Sequence, residues 1–256
     1  MLYMFQKTHF YSKSYCNSCC FFVAFNAGIT SWITLPKNRR MTLVRPFWQF
    51  FNYFCLKFLF FVKVYHLDRR SESEKGYCGL FISNHQTITD IFLIGANHPV
   101  PALMKREILF IPFFGITAFS AGGIPVNRKN PTSRKKALEE CKNRLRGQFG
   151  IQTYPEGTRS KTDRPKEFSE IHAGLIFEAY DLGVQVTPIS LNTLETVDPD
   201  THLMKPGSLV GLLTSAPVHP KNFKTKEEFA QCCWQKVIDG YDELSKCEII
   251  KANRLN

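Results

Sequence analysis

From residue 78 onward, short apolar runs alternate with amphipathic segments. The run Leu80-Phe81-Ile82 predicts a strand over 79–83, and the Ile-, Phe- and Leu-rich stretch after it predicts a helix over 90–96. Residues 101–104 read as a second strand. Residues 108–120 are apolar but broken by Pro112 and Gly115, which suggests a re-entrant or surface-dipping element. Residues 122–126 lead to Asn127-Arg128. A helix is predicted from Ser133 to about Gly147, with Ala137, Leu138, Cys141 and Leu145 on one side and basic residues on the other. Residues 150–153, 184–191 and 208–213 read as strands, and 171–182 as a helix closed by Gly183. Thr225 and Glu228 fit a capping box for a last helix to about Cys247. Strands separated by helices predict an α/β fold, a mostly parallel sheet flanked by helices.

The N-terminal part has a different pattern. Residues 1–40 are rich in Ser, Tyr, Cys and Asn without a sustained period, and are expected to be a poorly ordered extension or a product of start-site choice, with Met41 a natural start. Residues 46–66 are dense in Phe and about long enough to span a bilayer, which takes roughly 20 residues. Gln49, Asn52, Lys57 and Lys63 interrupt them, and a lysine at the centre of a spanning helix costs on the order of 3 kcal/mol. Arginines lie on both sides. An interfacial helix within a membrane-associating segment, 41–75, is the favoured reading over a single span or a buried soluble helix.

Charge sharpens this picture. The chain of 256 residues carries a net charge of +11, which calls for an anionic partner. With 23 phenylalanines, many near the N-terminus, an anionic membrane surface fits better than nucleic acid. The nine cysteines form no regular framework and read as reduced thiols of a cytosolic compartment. Cys16, Cys19 and Cys20 cluster, but no fourth zinc ligand is nearby. Cys232 and Cys233 read as small apolar residues on a helix.

The candidate chemistry lies in two stretches. Asn84-His85-Gln86-Thr87-Ile88-Thr89-Asp90 follows the first strand and offers a base near neutral pH with a carboxylate five residues on. Residues i and i+5 lie about 140° apart on a helix, so His85 must precede the helix and Asp90 must reach back from its first turn. Asp90 also fits a simple capping role with Thr87. Tyr154-Pro155-Glu156-Gly157-Thr158-Arg159-Ser160 is a turn in which Gly157 allows positive φ and Arg159 presents a planar fork for phosphate oxygens. Glu156 suits holding the loop or the arginine; a surface turn with a solvated arginine is the plain alternative. Gly122-Gly123-Ile124-Pro125-Val126-Asn127-Arg128 is a second glycine turn ending in a cation, and Lys105-Arg106 adds charge after a strand.

Together these blocks resemble the glycerophospholipid acyltransferases of the bacterial 1-acylglycerol-3-phosphate type. The likeness runs from about residue 78 to 191 and rests on the His85 to Asp90 block, residues 123–128, residues 154–160 and Val186-Thr187-Pro188-Ile189, in the family's order and spacing. The resemblance implies an acyltransferase domain over 76–256. It implies His85 as base and Asp90 as its orienting carboxylate. Lys105, Arg128, Glu156, Gly157, Thr158 and Arg159 would bind the glycerol phosphate. It implies acyl-CoA or acyl-acyl carrier protein as co-substrate, no cofactor or metal, a lysophospholipid acceptor, and a peripheral or monotopic place on the cytoplasmic face of a membrane. Two positions depart from the pattern: Asn127 replaces a usual Asp, and His172 stands where Lys is common. Both bear on the acceptor headgroup. Another lysolipid headgroup, a lipid hydrolase, or a nonenzymatic basic membrane or nucleic-acid binder are the competing readings. The hydrolase lacks a Gly-x-Ser-x-Gly elbow.

Overall fold

The computed structural model describes residues 37–111, 114–160, 162, 164–197 and 205–250. Its strands are β1 (Lys63–Asp68), β2 (Leu80–Ser83), β3 (Leu103–Lys105), β4 (Ile124–Val126), β5 (Ile151–Thr153), β6 (Val186–Asn192) and β7 (Leu209–Thr214). Its helices are α1 (Lys37–Phe54), α2 (Thr89–Asn97), α3 (Phe114–Ser120), α4 (Pro131–Arg146), α5 (Gly174–Asp181) and α6 (Lys226–Lys246). Five strands form one sheet in the order β1-β7-β6-β2-β5. β2 runs parallel to β5 and β6, and β1 to β7, while β6 and β7 are antiparallel. β3 and β4 make a small parallel pair, joined to β5 by a bridge between Ala102 and Gln152. This is the mostly parallel, helix-flanked sheet that the alternation of runs predicts.

The period of two in each strand divides the core. Leu80 and Ile82 face a layer built by α4, α5 and α6, where they meet Leu145, Ile151, Ile176, Phe229 and Trp234. Phe81, Ile189, Leu191 and Leu212 face the opposite layer, with Trp48, Phe51, Leu93 and Phe114 from α1, α2 and α3. All four residues of β2 are buried, which is why it reads as an unbroken apolar run rather than an alternation. Cys233, on α6, is fully buried in this core, as its apolar reading anticipates; Cys232 is partly exposed.

The N-terminal reading needs correction. Residues 46–66 do not form one helix. α1 ends in a π-helical turn, Cys55–Leu59, and Phe61 takes a positive φ of 52° that turns the chain into β1. The Phe-rich run therefore feeds the edge of the central sheet. α1 also begins at Lys37, ahead of Met41. Residues 1–36, with Cys16, Cys19 and Cys20, lie outside the described residues, as do 112–113 in the broken apolar segment. No helix among the described residues is long and apolar enough to cross a membrane.

Two of the polar interruptions in α1 dock it. Gln49 Nε2 donates to Ala96 O at the end of α2, at 2.9 Å. Asn52 is fully buried against Gly95, where an added Cβ would come within 2.5 Å of Asn52 Cγ. Val44, Trp48, Phe51, Cys55 and Leu56 turn into the core, while Leu43, Phe47, Phe50, Tyr53, Phe58 and Phe61 stay exposed. The segment is thus two-faced, with one apolar side packed and one uncovered.

Helix starts differ from expectation in two places. α4 starts at Pro131, with Asn130 capping it by accepting from Ser133 N. Ser133 instead uses its hydroxyl to accept from Asn127 N. α5 starts at Gly174 because residues 168–170 form a separate 3-10 turn.

A buried polar network ties β1, β7 and the end of α2. Arg70 pairs with Asp68 at 2.9 Å and donates to His98 Nδ1 at 3.3 Å, and His98 Nε2 meets Thr214 Oγ1 at 2.7 Å. An accepting Nδ1 requires neutral imidazole with its proton on Nε2. Burial above all, then the charges of Arg70 and His66, push the His98 pKa down to about 3. An unfolded imidazole titrates near 6.5. Between these values the unfolded chain binds the extra proton, so stability rises with pH and is lost as pH falls below about 6.5. The slope from this group is at most about 1.4 kcal/mol per pH unit. Urea midpoints measured from pH 7 to 4.5 are expected to fall for the wild type and to fall less steeply for His98→Gln; parallel curves would remove His98 as the cause.

Candidate active site

β2 and β5 end side by side, and the loops after them carry the two motif stretches, at the carboxyl ends of parallel strands where α/β sheets open a crevice. His85 lies in the turn between β2 and α2, and Asp90 in the first turn of α2. His85 Nδ1 meets Asp90 Oδ2 at 2.8 Å. The carboxylate is fully buried and the imidazole side chain is 16% exposed. Asp90 Oδ2 also accepts from Gln86 N at 2.5 Å and Thr87 N at 3.0 Å. Its Oδ1 accepts from the hydroxyls of Thr87 and Thr193. Holding the turn and orienting the histidine are therefore done by one side chain. With Nδ1 committed to Asp90, Nε2 is the nitrogen left to take a proton.

The strand end itself is stitched down by side chains acting as backbone. Asn84 donates to Leu191 O and accepts from Leu191 N, both at 2.8 Å, which extends the β2–β6 ladder past Ser83. Gln86 Oε1 accepts from Thr193 N at 2.9 Å. These bonds fix the loop that carries His85 on both sides of it.

The second stretch docks onto the first. Glu156 Oε2 accepts from His85 N at 2.9 Å, and Ser160 N donates to His85 O at 2.6 Å. Glu156 Oε1 accepts from Lys166 N at 3.0 Å. The carboxylate is 2% exposed, and its burial raises its pKa against the lowering effect of these two backbone bonds. Glu156 therefore shapes the site by holding two loops rather than by reaching a ligand, the loop-holding role of the two the sequence allows. Tyr154 stacks on His85, with ring centroids 4.1 Å apart and planes 24° from parallel. No motif reading singled out this ring; an aromatic residue at the last position before the turn was the available signal.

Gly157 has φ +72°, a conformation that glycine adopts without strain. Arg128 Nη1 donates to Gly157 O, so the two glycine turns meet, and burial lowers the Arg128 pKa while Glu107 raises it. Thr158 and Arg159 are exposed at the tip of the turn, next to Ser160, which is bonded to His85. Lys105 is exposed and pairs in register with Val126, on the strand that leads to Arg128. His172 N donates to Pro155 O at 2.8 Å, and its ring lies against Gly157, where a Cβ would come within 2.8 Å of Cδ2. Asn127 Oδ1 accepts from Lys129 N at 3.1 Å, so it shapes the turn after β4. His85 thus contacts Asp90 and Glu156 directly, Arg128 meets Gly157 in the turn that also carries Thr158 and Arg159, and Lys105 stands on β3 opposite Val126, two residues before Arg128.

Residues 62–192, about half of the chain, match the family described as acyltransferase. The chain belongs to the acyltransferase family. It is 27% identical over 185 residues to a 1-acyl-sn-glycerol-3-phosphate acyltransferase of Chlamydomonas reinhardtii, covering 71% of this chain and 53% of that protein. It is 28% identical over 180 residues to a lyso-ornithine lipid O-acyltransferase of Pseudomonas aeruginosa, covering 70% of this chain and 67% of that one. The chain thus spans about half the length of the algal relative. The crystal structure of the 1-acyl-sn-glycerophosphate acyltransferase PlsC from Thermotoga maritima shares the fold, with a TM-score of 0.72, 24% identity, and coverage of 88% of this chain and 90% of that chain. The family read from the four motif blocks is the family matched here, and the acyltransferase's His85 and Asp90 both fall within the matched residues.

Proposed function

We propose that this acyltransferase moves a fatty acyl group from a thioester, acyl-CoA or acyl-acyl carrier protein, to the free hydroxyl of a lysophospholipid, with 1-acylglycerol-3-phosphate as the first choice of acceptor. The observation that carries the reading is the 2.8 Å contact of His85 with buried Asp90 beside a loop bearing Arg159. His85 Nε2 takes the proton of the acceptor hydroxyl as its oxygen attacks the thioester carbon. Asp90 holds the ring and balances the imidazolium. The carbon–sulfur bond then breaks, and the imidazolium returns the proton to the departing thiolate. Arg128, Arg159 and Lys105 bind the acceptor phosphate, for which the guanidinium fork is well shaped.

The exposed apolar side of α1, together with the exposed side chains of Phe110, Ile111 and Ile116, is proposed to rest in the headgroup region of an anionic membrane. This gives a peripheral or monotopic location on the cytoplasmic face. The acceptor then reaches the site without leaving the bilayer. A lyso-ornithine lipid is the second acceptor to test, because the Pseudomonas relative is named for it. It carries no phosphate to engage Arg159.

The test is to incubate purified protein with labelled acyl-CoA and a panel of lysolipids and to identify the products. Arg159→Ala is expected to raise KM for 1-acylglycerol-3-phosphate about 10- to 100-fold, the worth of one or two charge-assisted hydrogen bonds, and to leave phosphate-free acceptors unchanged. An equal loss with both acceptor types would make Arg159 a structural residue.

A further inference from the structure

We propose that Tyr154 is a positioning residue for the base: its π face holds the His85 ring in register with Asp90 and favours the imidazolium formed during transfer. This rests on the reading of His85 as general base. The two rings are 4.1 Å apart and 24° from parallel, so the phenol covers one face of the imidazole while Asp90 takes its edge at 2.8 Å. The bond to Asp90 fixes the edge of the ring, and the phenol blocks its tilt toward the covered face. A charge that arises over an aromatic face is attracted to it.

Three ionisable residues among the described ones are in contact with His85. Asp90 comes from α2, Glu156 from the loop after β5 through His85 N, and Tyr154 from the end of β5. Burial above all, with the nearby Asp90, keeps the Tyr154 phenol protonated. The ring therefore acts as a neutral π surface and not as a second anion. Tyr154 is held in place by the same segment that sets Glu156 and Gly157, so the face and the phosphate loop are positioned together.

Three variants separate the π face from bulk and from the hydroxyl. Tyr154→Phe keeps the face and is expected to retain kcat/KM within about twofold. Tyr154→Leu and Tyr154→Met remove it and differ in shape, which guards against a packing failure in either one. Both are expected to lose about 3- to 30-fold in kcat/KM. Without the π face the imidazolium is less favoured, so the rising limb of the pH profile is expected to move to lower pH in both variants relative to the wild type. NMR titration of the His85 Cε1–H resonance in the same variants reads that shift without turnover. An unmoved limb and resonance in Leu and Met, or a Phe variant as impaired as Leu, overturns the proposal. Failure of the underlying reading looks different: His85→Ala would then keep its turnover, whereas an inactive His85→Ala with unmoved titrations removes the stacking role alone.

Discussion

Replacing His85 with alanine is expected to lower kcat by about 10²–10⁴-fold, the usual worth of a positioned general base, with the protein still folded. The fold should survive because what anchors this residue is main chain. His85 N donates to Glu156 and His85 O accepts from Ser160, and alanine keeps both bonds. The imidazole itself contributes one contact to Asp90 and a stacked face on Tyr154. Asp90 keeps four other donors, from Gln86 N, Thr87 N and two threonine hydroxyls. Initial rates with saturating acceptor, beside an unchanged far-UV spectrum and melting temperature, check this. Turnover near wild type in the folded variant would remove His85 as the base.

Asp90→Asn should be the second largest loss. The amide matches the carboxylate in shape. Its oxygen can take the Oδ2 place, facing His85 Nδ1, Gln86 N and Thr87 N, while its NH₂ meets the hydroxyls of Thr87 and Thr193, which can accept. What it lacks is the fully buried charge that balances the imidazolium. Removing one partner of a buried charge pair costs about 3–4 kcal/mol, or on the order of 10²–10³-fold in kcat. KM for the acceptor should hardly move, since Asp90 is fully buried. A loss of acceptor affinity with kcat intact would make the carboxylate a part of the binding site instead.

The sequence carried the site better than its surroundings. The i, i+5 geometry alone places His85 before α2 and Asp90 at its start, and that is where they lie. The strand runs were legible where both faces are buried, as in β2 and β6. β1 was not, because Lys63–Asp68 follows a Phe-rich run and the break between them is a backbone turn at Phe61, a residue type that rarely marks one. Gln49 and Asn52 read as flaws in a membrane helix, since the Ala96 carbonyl that Gln49 bonds and the Gly95 that Asn52 packs against are far along the chain. Thr193 was invisible for the same reason: it reaches Asp90 across more than a hundred residues. The start of α4 was misread because Asn130, Thr132 and Ser133 all suit a cap, and only the packing against Asn127 decides among them.

Grafting residues 156–160 from a relative with another headgroup taste would not be a modular change. The foreign loop inherits the job of holding the His85 main chain, and unless it supplies a carboxylate and an amide at the two anchoring places, the His85 turn will shift with it. His172 offers more freedom: its side chain is exposed beside Gly157, and what ties it to the loop is its main-chain bond to Pro155, which any residue other than proline keeps.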